Sequence, residues 1–382
     1  MFRAHVAARV AAEQVFFPAA AAYGLVAVPL SVHGMLSGHA LLPGFDSVPG
    51  HAHELLFGFA LAVIAGFLVT RISAARLGAL FALWLMARAS FLAFPGSIAA
   101  ITANAVFAVV LASLVSPQFL RSAKKLRNKA LAPLLIALCL AAIVFQLGAV
   151  TTQLGLQFLA LRETVLLIAL LMLFMGGRII APAAAGAIQR GGGHLEARVQ
   201  PRIEGALLIV MALAAVALAI PGGLRHGGVL MLAAALLALV RLARWRLWAC
   251  RARPDLWCLG IGYLWLVVGL ALLGTSWAFQ LLPASTATHA ITLGALGTLT
   301  TTVMVRVRAI RNKADPAQVR ALPWITAIIA LATLVRLSGS TSVTLIGVSA
   351  TLWSLALLLL LAALLSISFR GRRKPIRGLK TL

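Results

Sequence analysis

The chain has 382 residues, of which 62% are hydrophobic and only 11% are charged. Soluble globular proteins are about a quarter charged, so this composition excludes an ordinary soluble domain. The apolar residues occur in runs of about 18–24, the length that an α-helix needs to cross a bilayer. The sequence therefore predicts an all-α, polytopic membrane protein that forms one integral membrane domain over residues 1–382, because no connecting segment is long enough to bury a core of its own.

About twelve membrane-spanning helices are predicted along the chain, and Pro-Gly dipeptides mark several of the turns between them. Each predicted span is bounded by a change from an apolar run to polar or turn-forming residues. The predicted spans cover residues 15–37, 51–70, 77–95, 97–117, 131–150, 158–180, 203–221, 227–247, 256–280, 287–305, 321–338 and 343–368.

The positions of Lys and Arg predict the orientation, because the cytoplasmic loops of membrane proteins carry an excess of basic residues. If the N-terminus is cytoplasmic, all but four of the 33 Lys and Arg residues fall in the tails and the cytoplasmic loops. We therefore expect both termini in the cytoplasm. The formal net charge of +25 is then a topology signal that also attracts anionic lipid headgroups. Nucleic-acid binding is not indicated, since the basic loops lack regularly spaced aromatic residues. The four Lys and Arg residues that fall outside the tails and the predicted cytoplasmic loops are Arg88, Arg162, Arg225 and Arg336.

A cluster of ionisable residues, His51-Ala52-His53-Glu54, stands at the predicted outer end of the second span. Such groups are costly beside hydrocarbon, which indicates a functional site. Residues two apart on an α-helix point about 200° apart, so His51 and His53 serve two centres, or one binds a metal while the other is structural. Glu54 lies three residues after His51, where its carboxylate is expected to hold the second ring nitrogen of His51. The alternative is that both histidines face water and that Glu54 caps the first helical turn.

His289 begins the tenth span, also at its predicted outer end. Neutral imidazole is a suitable ligand for haem iron, copper or zinc. The small residues Gly294 and Gly297 on the same helix would let a flat cofactor, or a neighbouring helix, approach the backbone closely. A metal site and a simple helix-packing stripe therefore remain two interpretations of this segment.

Two arginines, Arg88 and Arg336, lie in the predicted outer parts of the third and eleventh spans. A guanidinium group in that position needs an anionic partner, and the propionates of a haem would supply one through paired hydrogen bonds. One alternative is an ion pair with Glu54 or Glu163. The other is that the long arginine side chain extends along the helix and places its charge at the membrane–water interface.

Three segments of the chain resemble the NnrS family of membrane proteins in their order, spacing and residue types. The first is similar to the family's H-x-H-E-x-x-F-G motif with its A-G-F-L continuation, the second to a G-G-R segment, and the third to H-A-x-T-x-G-x-x-G-T. These segments are His51 to Phe59 with Ala65 to Leu68, Gly176 to Arg178, and His289 to Thr298.

The resemblance implies a twelve-helix protein of the bacterial inner membrane that binds haem, with copper as a further metal, and acts in the response to nitric oxide. Nitric oxide or a related small molecule would be the ligand of the metal. The resemblance specifies no reaction, so enzymatic activity stays open. The residues expected at this site are His51, His53 and His289 as metal ligands, Glu54 as the support of an imidazole, Arg88 and Arg336 as propionate partners, and Gly294 and Gly297 against the cofactor.

Four segments depart from the family pattern, and all four lie on the predicted cytoplasmic side. The two histidine motifs, in contrast, both lie on the outer side. We therefore expect a divergent member whose outer metal site is retained and whose cytoplasmic side is altered. The departing segments are Thr70 to Ala74, Ala181-Pro182, Gly260 to Tyr263, and Arg311 to Ala314.

Two other classes of membrane protein fit part of the pattern. A transporter is compatible with twelve spans and buried ionisable groups, although the two halves show no obvious repeat and no evidently interrupted helix pair. A quinol-linked haem-copper oxidoreductase is compatible with an H-x-H pair that serves two centres, but the adjacent His-His pair expected there is absent from the sequence.

Overall fold

The computed structural model describes residues 9–122, 129–339 and 341–372, so the ends of both predicted cytoplasmic tails lie outside the described residues. Within these ranges twelve helices are long and apolar enough to cross a membrane, which confirms the predicted all-α membrane fold. They are α1 (Glu13–Ser37), α2 (Val48–Leu68), α3 (Ala74–Ala93), α4 (Ile98–Ser122), α5 (Leu131–Val150), α6 (Leu154–Arg190), α7 (Pro201–Ala219), α8 (Leu224–Arg244), α9 (Pro254–Phe279), α10 (Ala284–Arg311), α11 (Ala321–Ser338) and α12 (Val343–Arg372).

The helices α2 and α10 lie at the centre of the bundle. In each of them 72% of the most apolar stretch is buried by protein, against 22% for the stretch that includes α7. The two helices contact each other directly, and both contact α6. The two histidine motifs therefore belong to the two most buried helices, which is the neighbourhood that a shared site requires.

Both central helices change their geometry part of the way along. In α2 the segment Glu54–Ala60 is π-helical, and in α10 the segment Ala290–Ala295 is π-helical. Each π-helical segment begins at the residue that follows the last histidine of its motif. Such segments are rare and are frequent at functional sites, so this shared feature marks both histidine motifs as candidates.

A small antiparallel ribbon is the one departure from an all-helical chain in the described ranges. Strand β1 (Arg9–Ala11) pairs with β2 (Arg71–Ser73), and Val10 lies opposite Ile72. The ribbon ties the segment before α1 to the connection between α2 and α3, at the end of α2 that is remote from its histidines.

Close packing of backbones joins α8 to α9. A Cβ atom added to Gly228 would lie 2.5 Å from the backbone nitrogen of Ala278 and 2.7 Å from the carbonyl oxygen of Gly274. Small residues at such a crossing allow the dispersion contacts that hold membrane helices together.

Replacing Gly228 with Ala is expected to push the two helices apart and to lower the free energy of unfolding by about 1–3 kcal/mol, the range for overpacked sites. Thermal unfolding in detergent would measure this effect. Gly205→Ala in α7 is the matched control, because a Cβ atom there meets nothing within 4 Å. Equal unfolding temperatures for the two variants would contradict the close crossing.

Candidate functional site

The two histidines of the first motif point to different parts of the bundle, as the helical periodicity predicts. The Nδ1 atom of His51 lies 2.7 Å from Oγ of Ser31 in α1. The ring of His53 faces α3 and α5, and its Nε2 atom lies 2.7 Å from the amide nitrogen of Gln146. The two imidazoles therefore belong to two separate environments.

His53 is enclosed on every side. Its Nδ1 atom contacts the Glu54 carboxylate at 2.9 Å, and the side-chain amide of Gln146 contacts its other nitrogen. Its ring stacks against Phe91 and Phe145, with centroid separations of 3.8 and 4.7 Å. Since both nitrogens are bonded and both faces are covered, the geometry favours for His53 the structural role that the sequence left open for one of the two histidines.

Glu54 supports His53, not His51 as the sequence predicted. Its fully buried carboxylate accepts hydrogen bonds from His53, from Nη1 of Arg88 at 2.7 Å, and from the hydroxyl of Tyr23 in α1. The three-residue spacing from His51 implied a shared helix face. That inference was wrong because Nδ1 of His51 is bonded to Ser31 of α1 instead, while the Glu54 carboxylate is taken up by His53, Arg88 and Tyr23.

Arg88 is held inside the protein by groups of α2 and α4. Besides Glu54 it donates to the side-chain oxygen of Asn104, whose amide nitrogen in turn donates to backbone carbonyls of α3 and α4. The ion pair with Glu54 is the alternative that the sequence offered to a propionate contact. The residues joined in this way are called the buried polar network: Tyr23, His53, Glu54, Arg88, Asn104 and Gln146.

The hydrogen bonds around the two remaining histidines fix their tautomers. His289 Nδ1 lies 2.6 Å from the carbonyl oxygen of Ser285, and a carbonyl only accepts, so Nδ1 carries the hydrogen. The hydroxyl of Ser31 donates to the carbonyl of Val28 at 3.0 Å, so it accepts from Nδ1 of His51. In both neutral imidazoles the lone pair is therefore on Nε2, the arrangement found in metal-ligating histidines whose other nitrogen is bonded to an oxygen.

A guanidinium group accompanies these two imidazoles. Arg336 of α11 is close enough for its charge to act on both His51 and His289, and the two histidines are close enough to act on each other. Nη1 of Arg336 is buried and has no hydrogen-bond partner among the described residues. A buried unsatisfied donor is costly, so this nitrogen is a candidate to donate to an anionic acceptor. His51, His289 and Arg336 are called the histidine cluster.

The two glycines of the tenth span pack against tryptophans. A Cβ atom on Gly294 would lie 2.9 Å from the ring of Trp265, and one on Gly297 would lie 2.8 Å from the ring of Trp353. The flat groups that cover these glycines are therefore indoles from α9 and α12. This is the helix-packing interpretation, and it leaves no space for a cofactor directly against either glycine.

Sequence reasoning missed three contributors to the site. Ser31 and the carbonyl of Ser285 orient the two imidazoles, and Gln146 encloses His53. Serine and glutamine in apolar helices give no pattern that distinguishes them from ordinary packing residues. The π-helical segments have no sequence signature either, so only the three-dimensional structure reveals these features.

A conventional multi-ligand metal site is not found in the described ranges: no group of three or more His, Cys, Asp or Glu side chains there is arranged around a common point. Haem iron needs fewer protein ligands, because the porphyrin supplies the rest of its coordination and one or two imidazoles complete it. By number of ligands alone, the two imidazoles of the histidine cluster are enough for a haem iron.

The fold and the histidine cluster define a polytopic helical membrane protein. It carries two imidazoles at one end of its two most buried helices, and their Nε2 atoms have no partner among the described residues. The family model described as NnrS protein matches residues 11–372, so the chain belongs to the NnrS family. No curated protein and no solved structure matches the sequence.

Proposed function

We propose that this NnrS-family protein binds haem through His51 and His289 and, with the haem bound, takes part in the response to nitric oxide. The observation that supports this most is the pair of Nε2 lone pairs, each fixed by a hydrogen bond on the opposite nitrogen. Haem iron, when bound, supplies the affinity for nitric oxide. The protein supplies two neutral imidazoles and orients them through hydrogen bonds to their opposite nitrogens.

Arg336 has the chemistry to complete such a site. Its buried Nη1 donor lacks a partner among the described residues, and a propionate carboxylate accepts two parallel hydrogen bonds from one guanidinium group. Arg88 is already paired with Glu54 and contributes instead to the buried polar network. The propionate role predicted for both arginines is therefore proposed for Arg336 alone.

Copper remains a prediction from the family resemblance. Protein copper sites are commonly built from three nitrogen or sulfur ligands, and the histidine cluster offers two imidazoles. The three cysteines Cys139, Cys250 and Cys258 are buried and lie on other helices or loops. No step of the proposed function depends on copper.

Purification from membranes of cells supplied with haem precursor tests the proposal. We expect a Soret band, iron in proportion to protein, and a shift of the band when nitric oxide is added under anaerobic conditions. Elemental analysis of the same sample reports copper. A folded protein without a Soret band, even after incubation with haem, would overturn the proposal, and solute uptake by liposomes that contain this metal-free protein would favour the transporter alternative.

A further inference from the structure

A second polar site lies at the end of the bundle opposite the histidine cluster. There a cavity of about 210 Å³ opens between α6, α7 and α8. Its polar lining consists of Arg178, Arg198, Glu204 and Arg241, and the rest is apolar, chiefly leucines of α6 and α7. We call it the arginine cavity. It is smaller than the roughly 300–1,000 Å³ of sites that enclose a drug-sized ligand, so its size suits a headgroup or a small ion.

Arg241 is held rigidly in the wall of this cavity. The residue is 2% exposed; Nη1 donates to the carbonyl oxygen of Leu173 at 2.7 Å, and Nη2 donates to Glu204 at 2.8 Å. The guanidinium group also lies over the ring of Trp245, 5.2 Å from its centroid. Its Nε atom is buried and has no hydrogen-bond partner among the described residues. The cavity wall thus contains a pre-oriented cation.

The Gly176-Gly177-Arg178 segment of α6 makes this arrangement sterically feasible. A Cβ atom on Gly177 would lie 2.0 Å from Nη2 of Arg241, so only glycine admits the guanidinium group at that position. The next residue, Arg178, lines the same cavity, and its guanidinium group lies 4.2 Å from the centroid of the Phe174 ring. The segment therefore brings two guanidinium groups to one wall.

The charge of the lining is unbalanced. Three guanidinium groups and one carboxylate line the cavity, which leaves two positive charges in excess among the lining residues. Confining like charges near a bilayer is unfavourable unless an anion joins them. Guanidinium groups match the oxygens of a phosphate in pairs, and basic pockets between membrane helices on the cytoplasmic side are suited to lipid headgroups.

We propose that the arginine cavity binds a phosphate group, either in the headgroup of an anionic lipid or as free phosphate. The three guanidinium groups contact the phosphate oxygens, and Glu204 holds Arg241 in place while opposing the anion by its charge. The leucine-lined part of the cavity accepts the acyl region if the ligand is a lipid. This site is independent of haem, because it lies at the other end of the bundle.

Binding to the purified full-length protein tests this site. Native mass spectrometry would report binding of phosphatidylglycerol, an anionic lipid. Phosphatidylcholine is the control lipid, because its choline cation balances the charge of its phosphate. Isothermal titration with inorganic phosphate would report the free anion. Binding of phosphatidylglycerol alone assigns the site to lipid, and binding of inorganic phosphate assigns it to the free anion. Binding of neither, or equal binding of both lipids with no binding of phosphate, would overturn the proposal.

Replacing a basic or an acidic residue of the cavity lining should change the affinity for phosphate in opposite directions. Arg198 is exposed at the cavity, so Arg198→Gln should fold normally and weaken binding by about tenfold, the scale of one charged hydrogen bond. Arg202→Gln is the control, because Arg202 is exposed and does not line the cavity. Glu204→Gln should strengthen binding, since it removes the opposing charge and keeps the shape. A merely structural cluster predicts no gain of binding for Glu204→Gln, so weaker or unchanged binding in that variant contradicts the proposal.

A steric variant tests the role of the glycine. Gly177→Ala should displace Arg241 and abolish binding, whereas Gly186→Ala in the same helix should bind normally. A Cβ atom on Gly186 would have Arg190 Nη1 as its nearest neighbour at 3.7 Å, an ordinary contact. Unimpaired binding by Gly177→Ala would remove Arg241 from the site.

Discussion

Replacing His289 with Ala, or His51 with Ala, is expected to remove the Soret band of the protein purified with haem, while replacing His53 with Gln leaves the band in place. Both His289 and His51 present an Nε2 lone pair that no group of the described chain occupies, whereas both nitrogens of His53 are bonded within the protein. The same sequence motif therefore contains one candidate ligand and one structural histidine.

The size of the expected loss in haem affinity follows from the role of the imidazole that is removed. Removing even the hydrogen-bond partner of a metal-ligating histidine lowers metal affinity by about 10–100-fold, so removing the ligand itself should cost at least that much. Haem content per protein and the width of the Soret band measure the effect. Ser31→Ala should produce the intermediate result, a bound haem with about tenfold weaker affinity, because it leaves Nδ1 of His51 without its acceptor.

Gln is the appropriate replacement for His53, since its amide can keep a hydrogen bond to Glu54 and fill part of the space between Phe91 and Phe145. Circular dichroism and gel filtration establish that each variant is folded before its spectrum is compared. A folded His53→Gln protein that lacks the band, together with a retained band in His289→Ala, would move the ligand role to His53.

The parts of this protein that the sequence predicted are those that depend on local pattern. Each membrane span follows from the hydropathy of its own residues, and the divergence of His51 from His53 follows from helical periodicity alone. The proximity of α2 and α10 is different, because it depends on how twelve spans pack together. Sequence supplied only the expectation that two histidine motifs at one side of the membrane meet.

The predictions that failed depend on residues distant in sequence. Glu54 was assigned to His51, but its carboxylate bonds to the adjacent His53 and to Tyr23 of α1 and Arg88 of α3. The space over Gly294 and Gly297 is filled by indoles from α9 and α12. In each case a side chain was assigned from its spacing within one helix, while its contacts were decided by the packing of other helices.

Replacing Arg88 with Leu is expected to destabilise the protein by about 3–5 kcal/mol, because it leaves the Glu54 carboxylate buried without its counter-charge. Glu54 is fully buried, and Arg88 is 3% exposed, so water cannot replace the lost partner. Thermal or denaturant unfolding in detergent would measure the loss. Arg225→Leu is the control: this arginine is exposed at the start of α8, and its replacement should change stability by no more than about 0.5 kcal/mol.

The double variant Arg88→Leu with Glu54→Gln separates the buried charge from the lost packing. Removing both charges leaves no ion unpaired, so the double variant should be more stable than Arg88→Leu alone, which gives a coupling energy between contacting residues of about 0.5–3 kcal/mol. Tyr23 and His53 can still donate to the amide oxygen of the glutamine that replaces Glu54, which keeps much of the buried polar network satisfied. Strictly additive losses in the two single variants would mean that Arg88 and Glu54 stabilise the protein independently, and the ion pair that joins α2 to α3 would then have no energetic role.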